Sequence, residues 1–154
     1  MNIAFACDHA GFVWKNRIIS YLESLGHKVE DFGCFGPESC DYPDVAIPAA
    51  QSVAEGANDR GILMCGTGVG MSIVANKTPG VRAAVCWNDA VAGLVAEHNN
   101  ANILCLPARF ASADQMIIWI ETWMKTPFSG EKRHKARINK ITDLEKESCR
   151  GRKA

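Results

Sequence analysis

The chain has 154 residues, 47% of them hydrophobic and 22% charged, proportions that support one cored domain and exclude disordered and fibrous classes. Its formal charge is zero, with 17 basic residues against 17 acidic, which argues against a general nucleic-acid binder. No apolar run approaches the roughly 18 residues of a membrane span, and Met1–Ala6 runs into Asp8 and His9 with no basic flank, so neither a membrane segment nor a signal peptide is expected.

Asn2 to Cys7 is a short apolar run without helical spacing; after Gly11, the positions Val13, Ile18, Tyr21, Leu22 and Leu25 share one helical face that Gly26 ends. Lys28 to Phe32 alternates like a strand, and Gly33 to Pro43 is a long loop of the kind that often carries function. Asp44 can cap a helix running to about Glu55, Gly61 to Cys65 reads as a buried strand, and a glycine-rich turn leads into a helix near Ser72. Val81 to Cys86 is the next strand, Asn88 can cap a helix through His98, and Asn102 to Leu106 is a strand. Ser112 to Gln115 has the capping-box form ahead of Met116 to Lys125. A polar helix over about 131–147 completes a single domain of residues 1–148, and 149–154 read as a frayed tail.

Strands that alternate with helices and are too apolar to face water imply a mostly parallel, Rossmann-like sheet of about five strands inside a three-layer α/β/α sandwich. Ligands of such sheets bind beyond the carboxyl ends of the strands. The residues there are Cys7-Asp8-His9, Cys65 to Gly70, Cys86-Trp87-Asn88 and Leu106 to Arg109.

The glycines of Cys65-Gly66-Thr67-Gly68-Val69-Gly70-Met71-Ser72 let backbone N–H groups converge on an anion at a helix N-terminus, unless they serve only a tight turn. The spacing is G-x-G-x-G, neither the dinucleotide fingerprint nor a P-loop, and the position six after Cys65 is Met71, so a phosphatase-like Cys-x5-Arg is absent. The expected anion is then a different one, such as a charge that develops during a reaction. Cys65 sits where a helix dipole and converging amides favour a thiolate. The other six cysteines lack that setting; an odd total of seven without a C-x-x-C pair reads as reduced cytosolic thiols, with no disulfide frame and no metal site.

Asp8-His9 pairs a carboxylate with an imidazole for proton transfer or for binding hydroxyls and phosphate. His98 with Asn99, Asn100 and Asn102 can reach sugar hydroxyls, or simply close a helix. Residues 1–120 hold 7 Lys/Arg and 12 Asp/Glu, and residues 121–154 hold 10 and 5. That basic segment contains Arg133 and Arg137, four apart on one helical face, which reads either as a phosphate clamp or as a solvated surface.

In order along nearly the whole chain, Cys7 to Gly11, Asp41 to Asp44, Cys65 to Lys77, Gly80 to Ala83, His98 to Asn102 and Arg133 to Arg137 resemble the family of type B ribose-5-phosphate isomerases, which also contains galactose-6-phosphate and allose-6-phosphate isomerases. The Cys-Gly-Thr-Gly segment running into Ala75-Asn76-Lys77 is specific to it. The resemblance implies a cofactor-free cytoplasmic enzyme that interconverts an aldose phosphate and a ketose phosphate through an enediolate. By it, Cys65 moves the proton between C1 and C2, Thr67 assists at the substrate oxygens, and the amides of Gly66, Gly68, Val69 and Gly70 hold the enediolate. His98 opens the furanose ring with Asp8 nearby, Tyr42 and Asn99 contact the sugar, and His9, Arg109, Arg133 and Arg137 bind phosphate. A homodimer or dimer of dimers is implied, with His98, Asn99 and Arg109 entering the partner's Cys65 site. Ribose 5-phosphate is the expected substrate; allose 6-phosphate, galactose 6-phosphate or a tetrose phosphate is the rival, and a non-catalytic sugar-phosphate sensor a more distant one that Cys65, Thr67 and His98 speak against.

Overall fold

The computed structural model describes the backbone of residues 1–151 and the side chains of residues 1–148. Strands β1 (Asn2–Cys7), β2 (Lys28–Asp31), β3 (Arg60–Cys65), β4 (Ala83–Val85) and β5 (Ile103–Pro107) form one parallel sheet in the order β2-β1-β3-β5-β4. Helices α1 (Phe12–Ser24), α4 (Asp89–Glu97) and α5 (Ala113–Lys125) cover one face, and α2 (Tyr42–Ala54) and α3 (Val69–Ala75) the other. This is the expected three-layer sandwich.

Side-chain alternation along the central strands makes the two faces unlike. Ile3, Phe5, Ile62, Met64, Leu104 and Leu106 meet Ile18, Leu22, Trp119, Ile120 and Trp123 on one side. On the other, Ala4, Ala6, Leu63 and Cys65 meet Ala46, Ala49 and Ala50 of α2 and Met71 and Ala75 of α3. Each fully buried large aliphatic or aromatic side chain contributes on the order of 1.5–3 kcal/mol, so the bulky face supplies most of the cohesion. The alanine face lets helices approach closely.

Several expected boundaries shift. The helix after the long loop starts at Tyr42, with Asp41 at its N-cap and Pro43 in its first turn, so Asp44 sits inside the first turn and is not the cap. Proline suits that position because its missing N–H would have no helical partner. The helix expected near Ser72 starts at Val69 behind Gly68, whose φ is 75°. Strands β2 and β4 are edge strands and are partly exposed, not buried on both faces, because each has a neighbour on one side only. Strand β4 covers only Ala83–Val85 because Val81 N–H turns back to Thr78 O and Arg82 N–H donates to Asn102 Oδ1. The outer edge of β4 is met by Asn76: Ala83 N–H donates to Asn76 Oδ1 at 2.9 Å, and Asn76 Nδ2 donates to Ala83 O at 2.8 Å. The Asn88 cap and the Ser112–Gln115 capping box form as expected. Helix α6 (Lys132–Gly151) continues past 147, so the expected tail at 149–154 falls partly in this helix and partly outside the described residues.

Candidate active site

At the carboxyl edge of the sheet, β3 ends in Cys65, which is 5% exposed on the alanine face. Gly68 N–H donates to Cys65 Sγ at 3.2 Å, and Val69 N–H donates to Thr67 Oγ1 at 3.2 Å. With its oxygen accepting, the exposed Thr67 hydroxyl keeps its proton free to donate outward. The first amides of α3 have no intrahelical acceptor. Beside them, β1 is followed by Asp8, 7% exposed, whose Oδ1 accepts from Ala10 N–H at 2.9 Å and Gly11 N–H at 3.3 Å. His9 Nδ1 accepts from Cys40 N–H at 3.4 Å.

The three glycines answer three separate demands. Gly68 adopts a left-handed φ of 75°, and a Cβ there would lie 3.2 Å from the Leu106 carbonyl carbon. A Cβ on Gly66 would lie 3.3 Å from Arg109 Cδ, and one on Gly70 would lie 2.9 Å from Tyr42 Cζ. The absent side chains at 66 and 70 are therefore the seats of Arg109 and Tyr42. Cys65, Thr67, Tyr42 and Arg109 surround one short loop, with Asp8 and His9 just beyond the end of the adjacent strand β1. Arg109 is also tied to that loop by its backbone, its N–H donating to Gly66 O at 3.1 Å.

A second cluster forms at the amino edge. A helix that follows a strand of a parallel sheet runs back antiparallel to it, so α4 ends near the starts of β4 and β5: Arg82 Nε donates to Asn99 O at 3.2 Å and Asn100 O at 2.9 Å. His98 closes α4 and packs against His134 of α6, ring centroids 4.3 Å apart and the planes tilted by 36°. His134 is 1% exposed and its Nδ1 lies 2.7 Å from Ser129 Oγ. Burial first, and then the positive charge of His98 and Arg133, hold the His134 imidazole below its ordinary pKa. Arg133 is exposed and bonds Glu131 at 2.8 Å; Arg137 is exposed. Asn99, Arg82, Ile141 and Glu145 line a cleft of about 460 Å³ here.

Thus Cys65, Thr67, Asp8, His9, Tyr42, Gly66, Gly68, Val69, Gly70 and Arg109 gather at one edge, and His98, Asn99, Arg133 and Arg137 at the other. Among the described residues, no hydrogen bond or ion pair joins the two groups. Arg109, expected to travel with His98 into a partner's site, lies instead on its own Cys65 loop. Cys65 is also less exposed than Cys34 and Cys40, so accessibility alone does not distinguish it. Burial pushes the thiol of Cys7 up to about 12 and that of Cys86 up to about 11. Among the described residues no helix is long and apolar enough to cross a membrane, and no group of three or more His, Cys, Asp or Glu side chains is placed to hold a metal ion.

Two residues carried signals that local reading left unassigned. His134 lies between the arginines on the inward side of α6, and Lys15 is a charge in the apolar series with Ile18 and Leu22 on α1.

Residues 3–141 match the family model described as Ribose/Galactose Isomerase. The chain is 41% identical over 143 residues to ribose-5-phosphate isomerase B of Escherichia coli, covering 93% of this chain and 95% of that protein. Ribose-5-phosphate isomerase B of Clostridium thermocellum superposes with a TM-score of 0.93 at 46% identity, covering 96% of this chain and 99% of the other. The Mycoplasma genitalium enzyme with bound ribulose-5-phosphate superposes with a TM-score of 0.91 at 40% identity, over 95% and 97% of the two chains.

Proposed function

The chain belongs to the Ribose/Galactose Isomerase family and is an aldose–ketose isomerase of sugar phosphates, and from that premise we propose that it interconverts ribose 5-phosphate and ribulose 5-phosphate with Cys65 as the proton-transfer base. The observation that carries the base assignment is the Gly68 N–H donated to Cys65 Sγ at 3.2 Å, inside a loop whose glycines seat Tyr42 and Arg109. An N–H donor serves a thiolate better than a thiol.

The thiolate takes the C2 proton of the open-chain aldose, the C2–H electrons form the C1–C2 double bond, and negative charge moves onto O1. The thiol then returns the proton to C1 while the C2 oxygen collapses to the ketone, and a proton passes from O2 to O1. The Thr67 hydroxyl serves that oxygen-to-oxygen transfer, and the amides about Gly66, Gly68, Val69 and Gly70 carry the enediolate charge. Such a donor is typically worth about 3 kcal/mol in the transition state. Tyr42 contacts the sugar, and His9 and Arg109 bind phosphate. His98, packed against His134, opens the furanose ring with Asp8 assisting, while Asn99 contacts the sugar and Arg133 and Arg137 complete the phosphate site.

One copy holds these groups at opposite edges, so the working unit is a homodimer, alone or paired as a dimer of dimers, in which the amino edge of one copy meets the carboxyl edge of its partner. An isologous two-fold pair forms two such sites. The free thiols among the described residues suit a reducing compartment, and the cytoplasm is the location proposed.

The test compares kcat/KM for ribose 5-phosphate, allose 6-phosphate, galactose 6-phosphate and erythrose 4-phosphate, with the ribose reaction also run in D2O. Preference for ribose 5-phosphate is expected, with deuterium at C1 of ribulose 5-phosphate in the fraction of turnovers in which the thiol exchanges with solvent before returning its proton. Preference for another sugar replaces the substrate, and binding without turnover on any of the four makes the chain a sensor.

A further inference from the structure

Lys15 occupies a position on α1 that an apolar residue could fill, yet it is 4% exposed and fully engaged. Its Nζ lies 2.5 Å from Asp31 Oδ2, donates to Cys34 O at 2.8 Å, and stands 4.4 Å from the centre of the Phe35 ring. Asp31 Oδ1 in turn accepts from Gly33 N–H at 3.0 Å. Cys7 N–H donates to Gly33 O at 2.6 Å and Cys34 N–H donates to Cys7 O at 2.5 Å, so the start of the 33–41 loop is bound to the end of β1. The far end of the loop holds the site: Cys40 N–H meets His9 Nδ1, Asp41 occupies the N-cap position of α2, and the Tyr42 ring lies on Gly70. Because Nδ1 accepts from Cys40 N–H, Nε2 is the ring nitrogen left to donate to a ligand.

Burying an ammonium costs more than burying an apolar chain of similar size, and apolar replacement of a buried ion pair is often neutral or stabilising, so stability alone does not account for Lys15. We propose that Lys15 is a positioning residue for the isomerisation: through Asp31 and the Cys34 carbonyl it fixes the 33–41 loop, and the loop presents His9 and Tyr42 to the substrate. This rests on the reading of His9 and Tyr42 as substrate contacts. Lys15 itself touches no substrate.

The experiment measures kcat and KM for ribose 5-phosphate in Lys15→Met, Lys15→Arg, His9→Ala and the double variant Lys15→Met/His9→Ala, each checked for fold by circular dichroism. Lys15→Met should raise KM about tenfold with kcat changed by less than about threefold, and Lys15→Arg should recover most of the loss. The double variant should be clearly less impaired than the product of the two single effects, because Lys15→Met and His9→Ala share the placement of His9 while only Lys15→Met also disturbs Tyr42. Independent effects that multiply, or an unchanged KM in folded Lys15→Met, overturn the proposal. An unchanged KM in His9→Ala instead removes His9 from the substrate site, and the role given to Lys15 falls with it. If Lys15→Met does not fold, Asp31→Asn keeps an acceptor for Gly33 N–H and removes the ion pair; the same rise in KM is expected, and its absence rejects the proposal.

Discussion

The carboxyl and amino edges of the sheet hold polar groups of different kinds. At the carboxyl edge those around Cys65 are short and fixed by backbone: a nearly buried thiol, a hydroxyl held by its own turn, and amides at the start of α3. At the amino edge they are long, exposed cations on α6 and an imidazole supported by a second ring. Proton transfer needs placement to fractions of an ångström, which a strand end and a glycine turn provide. Phosphate capture needs charge and reach, which helix-borne arginines provide. The edges are separated by the length of a strand, roughly 20 Å for six residues, so under the proposed roles the two groups meet only between copies.

The largest effect should come from removing the carboxyl-edge base. Cys65→Ala should lose at least about a hundredfold in kcat while its melting temperature and its binding of inorganic phosphate stay near those of the parent. Near-normal turnover would take cysteine out of the mechanism and leave the edge a binding surface.

Joining the two edges across copies is tested by mixing. Cys65→Ala and His98→Ala, each inactive alone, should on subunit exchange regain activity at about a quarter of all sites, because a mixed dimer has one site with both lesions and one with none. Arg109 is left intact because it lies on the carboxyl edge. No recovery after exchange verified by mass spectrometry would mean that His98 serves its own chain.

At the amino edge alone, Arg133→Ala and Arg137→Ala should each raise KM about tenfold with a smaller change in kcat, since a phosphate handle binds before the chemical step. Inorganic phosphate should inhibit the parent and compete poorly in both variants.

The glycines separate stability from function within the carboxyl edge. Gly68→Ala forces a side chain into a left-handed backbone against the Leu106 carbonyl, and should destabilise by about 1–3 kcal/mol in urea unfolding. Gly70→Ala displaces only the partly exposed Tyr42 ring, so KM should rise with little change in the urea midpoint.

The smallest effect is a pH dependence from the amino edge. His134 is held below its ordinary pKa, so as pH falls through the usual histidine range the unfolded chain takes up a proton that the folded chain refuses. Stability contributed by neutral His134 is therefore present above that range and declines as pH falls through it. His134→Gln should flatten the slope of melting temperature between about pH 7 and pH 5.

Much of this arrangement is legible in the residues alone. The apolar runs of β1, β3 and β5 locate the central sheet, and the strand-end rule points to Cys65 and Asp8. The start of α3 is hidden because Gly68 and Gly70 are poor helix formers locally, and only contact with β5 and Tyr42 explains them. The seats of Arg109 and Tyr42 depend on pairs 43 and 28 residues apart in sequence, which no local window contains. That His98 and Cys65 lie at opposite edges follows from connectivity, and connectivity is a property of the whole chain. Lys15 was readable in principle, as a cation three residues before Ile18 in an otherwise apolar stripe.

The amide of Asn76 has a consequence for how the protein behaves in company. A sheet open at its flank offers unpaired peptide groups on which a foreign strand can grow, the first step of fibre formation. Strand β4 presents that flank with only three residues, and at Ala83 both the outward N–H and the outward C=O are already occupied by the Asn76 carboxamide, which imitates the peptide unit of a missing neighbour. At Ala83 the asparagine thus stands in for a strand one residue long, filling the positions a foreign strand would take first.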